Sequence, residues 1–267
     1  LAALIHAFPQ KTFILLGDGG YATADLADFC SRHGHPLVSR CRPDLALFAP
    51  PPTRTQGQMG RPRLKGRRLD SPQQAAERKT APWKEATVPW YGGGTRKVRL
   101  LTGTGLWYNR GRRPVMIRWV YVVDREGTHR DDCLFSTDST LSPEEIVGLF
   151  TRRWSIEVTF EEVRAHLGFE TTRQWTPKSV LRTGPCLLGL FTVVSLIFAA
   201  HARHHRVLPA ATAWYAKKDI TFSDALALVR RGLWTKTVFG NSSCAHQYTK
   251  VPARFRTLVL HHLCRTA

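Results

Sequence analysis

The chain is 267 residues long and 43% hydrophobic, with 39 Lys and Arg against 20 Asp and Glu, for a formal net charge of +19. That content suffices for one large domain, or one domain carrying an insertion. A pI near 10.4 makes a polyanion, most commonly nucleic acid, the default partner. The basic residues run along the whole chain, which excludes a neutral domain with a basic tail.

Residues 11–18, KTFILLGD, read as a buried strand ending in the turn Gly17-Asp18-Gly19-Gly20. Helical spacing follows from Tyr21 to His33, with Leu26, Phe29 and Cys30 apolar and Gly34 as the stop. Residues 36–42, PLVSRCR, form a second strand, and the order strand, acid, helix, strand predicts an α/β layer with parallel strands. From about Ala49 the composition shifts to prolines and basic residues, predicting a loop or an extended arm that orders on DNA. Within it Arg61, Arg63 and Lys65 are the candidate contacts to phosphate or the minor groove.

The alternating runs TVPWYGG, RKVRLLTGTGLWY and PVMIRWVYVVD come next, and the last returns through REGTHRDD into CLFSTD as a hairpin. Ser142 caps the following helix, with Pro143 at its first position and Glu144 and Glu145 in its first turn; Asp138 is the alternative cap. That helix is predicted to run unbroken to Leu167. Phe150, Arg153, Glu157 and Arg164 then fall within roughly 60° of one face, beside apolar Leu149, Ile156, Phe160, Val163 and Leu167. One carboxylate flanked by two guanidiniums at the edge of a core suits a metal site reading a phosphate backbone.

Pro185 to Ala200 is the longest apolar run; it falls short of the roughly 20 residues a membrane span needs and reads as a fully buried core helix. An amphipathic stretch, ITFSDALALVRRGLW, leads into an unassigned tail. His201, His204 and His205 are read as cations favoured at a helix C-terminus rather than as metal ligands, and the HHLC at 261–264 is treated alike. Cys30, Cys41, Cys133, Cys186, Cys244 and Cys264 contain no CxxC pair and read as reduced, mostly buried thiols of a cytoplasmic protein. No secretory signal opens the chain. Its start at Leu1, not Met, points to further residues upstream.

These blocks resemble the DDE transposases of bacterial insertion sequences, in the subgroup with a Y-(2)-R-(3)-E-(6)-K signature. The resemblance rests on strand–GDGGY–helix–strand, the GRPRLKG arm, WYGGGTRKV, STDSTLSPEEI and the signature itself, and covers most of the chain. Phe150 stands where the signature has Tyr and so loses a hydroxyl; Arg164 stands for Lys and keeps the charge. The resemblance implies an α/β fold: a ribonuclease H-like catalytic core (1–48 and 136–205) interrupted by a basic arm and antiparallel β insertion (49–135), with a helical C-terminal tail (206–267).

It also implies three acids on a two-metal site holding Mg²⁺ or Mn²⁺, for DNA cleavage and strand transfer. Glu157 matches the third acid. Asp18, followed by a helix, takes the second place in that fold, so the first acid is expected upstream of Leu1 and the chain alone is expected to be inactive. Asp138 lies too close to Glu157 to serve instead. Arg153 and Arg164 are implied to hold phosphates near the cleavage point. Tyr21 reads as packing or, as the alternative, a DNA contact, and Trp154 as either a cover for the insertion sheet or a base-stacking ring. The implied partners are double-stranded DNA and a second copy of the chain, with no membrane, in a bacterial cytoplasm at the nucleoid. The competing readings are a non-catalytic DNA-binding remnant and a metal-dependent nuclease without strand transfer.

Overall fold

The computed structural model describes residues 1–54, 59–171, 176–209, 217–238 and 252–265. They form two compact units, Leu1–Trp154 and Ser155–Ala267. The first is mixed α/β, with a sheet of seven strands among the described residues.

In chain order the first unit contains α1 (Ala2–Ala7), β1 (Leu15–Gly17), α2 (Ala24–Arg32), β2 (Leu37–Arg40), β3 (Leu47–Phe48), α3 (Pro72–Glu77), β4 (Lys84–Pro89), β5 (Thr95–Trp107), β6 (Val115–Asp124), β7 (Asp132–Ser136) and α4 (Pro143–Arg152). The strand order is β1-β2-β7-β6-β5-β3, with β4 also pairing β5. β1 and β2 are parallel, with Leu15 opposite Leu37, and β7 joins β2 antiparallel. Crossing back to a parallel strand needs a connection of helical size, and α2 supplies it. From β2 outward every pairing is antiparallel, as the alternating runs predicted.

Both faces of the sheet are buried because apolar side chains occupy both phases of the strands. On one face Leu37, Ile117, Trp119 and Phe135 pack with Ala27 and Cys30 of α2. On the other Val38, Val98, Val120 and Leu134 pack with Ile146, Val147 and Phe150 of α4. The arm is anchored at its two roots: Ala49 N donates to Arg67 O at 2.9 Å and Leu69 N to Leu47 O at 2.8 Å. Residues 55–58 of the arm lie outside the description.

α4 begins where the sequence says. The Ser142 hydroxyl accepts from Glu145 N at 3.2 Å, the Glu145 carboxylate accepts from Ser142 N at 2.8 Å, and Pro143 takes the first turn. It does not run on to Leu167. It ends at Arg152, and a new helix, α5 (Ser155–Leu167), begins in the second unit. The single charged face predicted from spacing is therefore split: Phe150 and Arg153 belong to one unit, Glu157 and Arg164 to the other.

The second unit holds α5, α6 (Pro177–Ala202), α7 (Phe222–Leu233) and α8 (Ala253–Arg265). Its core is small: Val194, Phe222, Ala225 and Leu226, with Leu167, Phe191 and Phe198 against them. The apolar run does become a helix, but not a buried one. Val194 is its one buried residue among those described, whereas Leu181 is 74% and Leu196 64% exposed. Ile156, expected at the core edge, is exposed as well, and Val163 is buried. α6 is 26 residues long and contains an 18-residue window of mean hydropathy 2.0, long and apolar enough to cross a membrane. That corrects the shorter length read from the apolar run; length and composition alone do not make a span.

Candidate functional site

Asp18 closes β1 and opens a short 3₁₀ turn, Gly19–Tyr21. Its Oδ1 accepts from Gly19 N at 2.7 Å, and its carbonyl accepts from the buried Ser39 hydroxyl on β2 at 2.8 Å. The backbone is thus fixed from the neighbouring strand while the side chain stays 53% exposed. A Cβ on Gly17 would meet the Tyr21 Cβ at 2.7 Å, so this approach of strand to turn requires glycine. Tyr21, read as packing, is 60% exposed.

In open α/β sheets, ligands bind outside the carboxyl ends of the parallel strands. Arg40 ends β2 beside Asp18, with its Nη1 3.8 Å from Asp18 Oδ1 and its Nη2 2.8 Å from Asp132 Oδ2 at the start of β7. Its guanidinium lies 5.4 Å from the centre of the Phe150 ring, and that of Arg153 lies 5.7 Å from the same ring. Phe150 itself is 2% exposed. Phe150 is thus a buried ring with two cations against it, a cation–π geometry.

Tyr91 and Trp90 come from the turn between β4 and β5, where Gly92 and Gly93 take φ of 69° and 79°. Tyr91 stands 6.0 Å from the Trp154 ring and 6.4 Å from His129. Burial pushes its hydroxyl pKa up; the charges of Asp132 and Asp18 add to this, and those of Arg40 and Arg153 oppose it. Tyr91 therefore lies in the field of Asp18, Arg40, Asp132 and Arg153.

The other predicted residues are placed separately. Glu157 is exposed in the first turn of α5, where a carboxylate suits the helix dipole. Arg164 makes a two-pronged pair with Glu170, at 2.7 and 3.0 Å. Arg61 and Arg63 are exposed, whereas the Lys65 ammonium sits 3.6 Å from the Phe48 ring centre and 4.1 Å from that of Tyr108. The Asp138 carboxylate accepts from the Thr140 N–H and hydroxyl, a turn role leading into the Ser142 cap. His201 and His205 stack at 4.4 Å. The described residues contain no group of three or more His, Cys, Asp or Glu side chains able to hold a metal ion.

Sequence reasoning missed Arg40, Asp132, Trp90 and Tyr91. The signal for Arg40 was available: it closes the strand after the one bearing Asp18, and both point to one end of a parallel pair. The arrangement offers a hard oxygen donor for a divalent cation and guanidiniums for a phosphodiester. Residues 1–178 match the family model described as the transposase DDE domain. No curated protein matches the chain.

Proposed function

Because the chain belongs to the transposase DDE domain family, we propose that it acts on double-stranded DNA as an insertion-sequence transposase, by metal-dependent cleavage and strand transfer. Asp18 carries this reading: a carboxylate fixed at the end of a parallel strand, half exposed, with Arg40 beside it. It fits a hard divalent ion, since Oδ2 accepts no hydrogen bond among the described residues. Asp18 and Glu157 would hold Mg²⁺ or Mn²⁺ in a ribonuclease H-like core. When bound, the metals supply activation of water and of a DNA 3′-hydroxyl for in-line attack on phosphodiesters.

Every other part falls to side chains. Arg153 steadies a phosphate from the Phe150 ring, Arg164 does so from α5 on releasing Glu170, and Arg61, Arg63 and Lys65 follow the backbone further out. Two copies would act together on paired DNA ends, at the nucleoid of a bacterial cell.

The test has two parts. The 267-residue chain should bind duplex DNA with an affinity that falls by about 10³ or more between 50 and 200 mM salt, as several phosphate contacts require. Binding that ignores salt, or none at low salt, rejects the DNA reading. End joining in Mn²⁺ should be abolished by Asp18→Asn and by Glu157→Gln, each while DNA binding persists. Joining that survives both substitutions rejects the site.

A further inference from the structure

Beside Arg40 lies a cavity of about 100 Å³, whose lining includes Arg40, Trp90, His129 and Arg130 together with the carboxylates of Asp124 and Asp132. Its hydrogen-bonding capacity is unbalanced. The acceptors along it are already committed: Asp132 takes Arg40 Nη2, and Asp124 takes two nitrogens of Arg96 together with the N–H groups of Glu126, Thr128 and His129. Two donors are not: Arg40 Nε and Trp90 Nε1 are buried and meet no partner in the protein. A buried donor left without a partner is costly, so an acceptor from outside is called for.

The walls define which acceptor. Trp90, Tyr91 and His129 stand edge to face or tilted at 5.3–6.4 Å, and these aromatic walls lower the local dielectric and strengthen any charge-assisted bond inside. The space equals roughly three water molecules. A tetrahedral phosphate group fits; a whole nucleobase does not.

We propose that this cavity grips one backbone phosphate of the DNA, with Arg40 Nε and Trp90 Nε1 donating to its free oxygens and Arg130 balancing its charge. Arg40 is then shared three ways, its Nε on the phosphate, its Nη2 on Asp132 and its Nη1 facing Asp18. The gripped phosphate is keyed, through one rigid guanidinium, to the carboxylate proposed to hold metal. The choice of DNA as the source of the phosphate rests on the function proposed above; the cavity's preference for an oxyanion does not.

The experiment follows the Trp90 indole N–H by ¹⁵N–¹H correlation spectra of tryptophan-labelled chain, with Trp90→Phe assigning the resonance and keeping the ring. Inorganic phosphate and a short duplex at low salt should each shift it downfield. Trp90→Phe should bind the duplex about fivefold more weakly, the loss of one net hydrogen bond. Arg130→Ala should lower the salt slope by about 0.9, one phosphate contact. If the duplex binds by mobility shift while the indole resonance stays still, the subsite is wrong and the DNA reading survives. If no duplex binds but phosphate moves the resonance, the DNA reading falls and the oxyanion cavity stands. A resonance unmoved by either ligand overturns the subsite.

Discussion

The two units treat apolar sequence in opposite ways. In Leu1–Trp154 the apolar positions of β2, β5, β6 and β7 are buried on both faces of one sheet, and Leu37, Val98, Ile117, Val120 and Phe135 are fully enclosed. In Ser155–Ala267 the most apolar element, α6, has Val180, Leu181, Leu190, Val193, Leu196 and Ile197 exposed. Hydropathy measures what a segment would gain from cover, not whether cover is there. A strand in the middle of a sheet brings its cover through its own hydrogen-bonded neighbours; a helix completes its backbone bonding alone and can be left bare.

The contrast is broken most directly by truncation on each side. Phe135→Ala should cost about 3–5 kcal/mol in denaturant unfolding, because a fully enclosed ring leaves a cavity. Leu196→Ala should change stability by less than about 0.5 kcal/mol, as for an exposed residue. Equal losses would show that α6 is covered in solution.

The helical unit does contain one enclosed polar anchor. Asp224 is 3% exposed at its side chain, pairs with Lys217 at 2.8 Å and closes the capping box of α7 on Thr221. Asp224→Ala should destabilise this unit by about 3 kcal/mol, because the ammonium loses its buried partner. A melt that leaves the helical signal unchanged would contradict it. A step smaller, Ser142→Ala should cost about 1 kcal/mol in the sheet unit, measured by the same unfolding curves, through loss of the α4 cap.

Acid should also separate the units. The two-pronged Arg96 pair and three backbone N–H groups hold the Asp124 carboxyl well below the usual carboxylate range. A group depressed in this way stabilises the fold fully above its ordinary value, and that stabilisation is lost as pH falls through about 4 and below. The melting temperature of the sheet unit should therefore drop on acidification below about pH 4, and Asp124→Asn should flatten that part of the profile. An unchanged profile in the variant would assign the acid sensitivity elsewhere.

What could be read from sequence follows the range over which each signal acts. The strands of the middle third were legible because alternation is local, and the Ser142 cap because its partners lie three residues away. The break between α4 and α5 was not: the segment RRWSIE holds neither Gly nor Pro, and the Phe150-to-Arg164 spacing suits one helix. Arg40 meeting Asp132 was equally hidden, since 92 residues separate them and only the β2–β7 pairing brings them together. Asp18 and Glu157 were picked out as residues, by a turn motif and a spacing. The cavity beside Arg40 was not, because it is made by unsatisfied atoms and not by residue types.

The bare α6 has a practical consequence at the bench. Salt moves its two kinds of surface in opposite directions: excluded salts such as sulfate strengthen apolar association, while counterions compete with every phosphate contact. A complex that tightens on adding sulfate is held by α6, and one that loosens is held by the basic residues. A single salt series, read for the sign of its slope before its size, sorts clumping from DNA recognition.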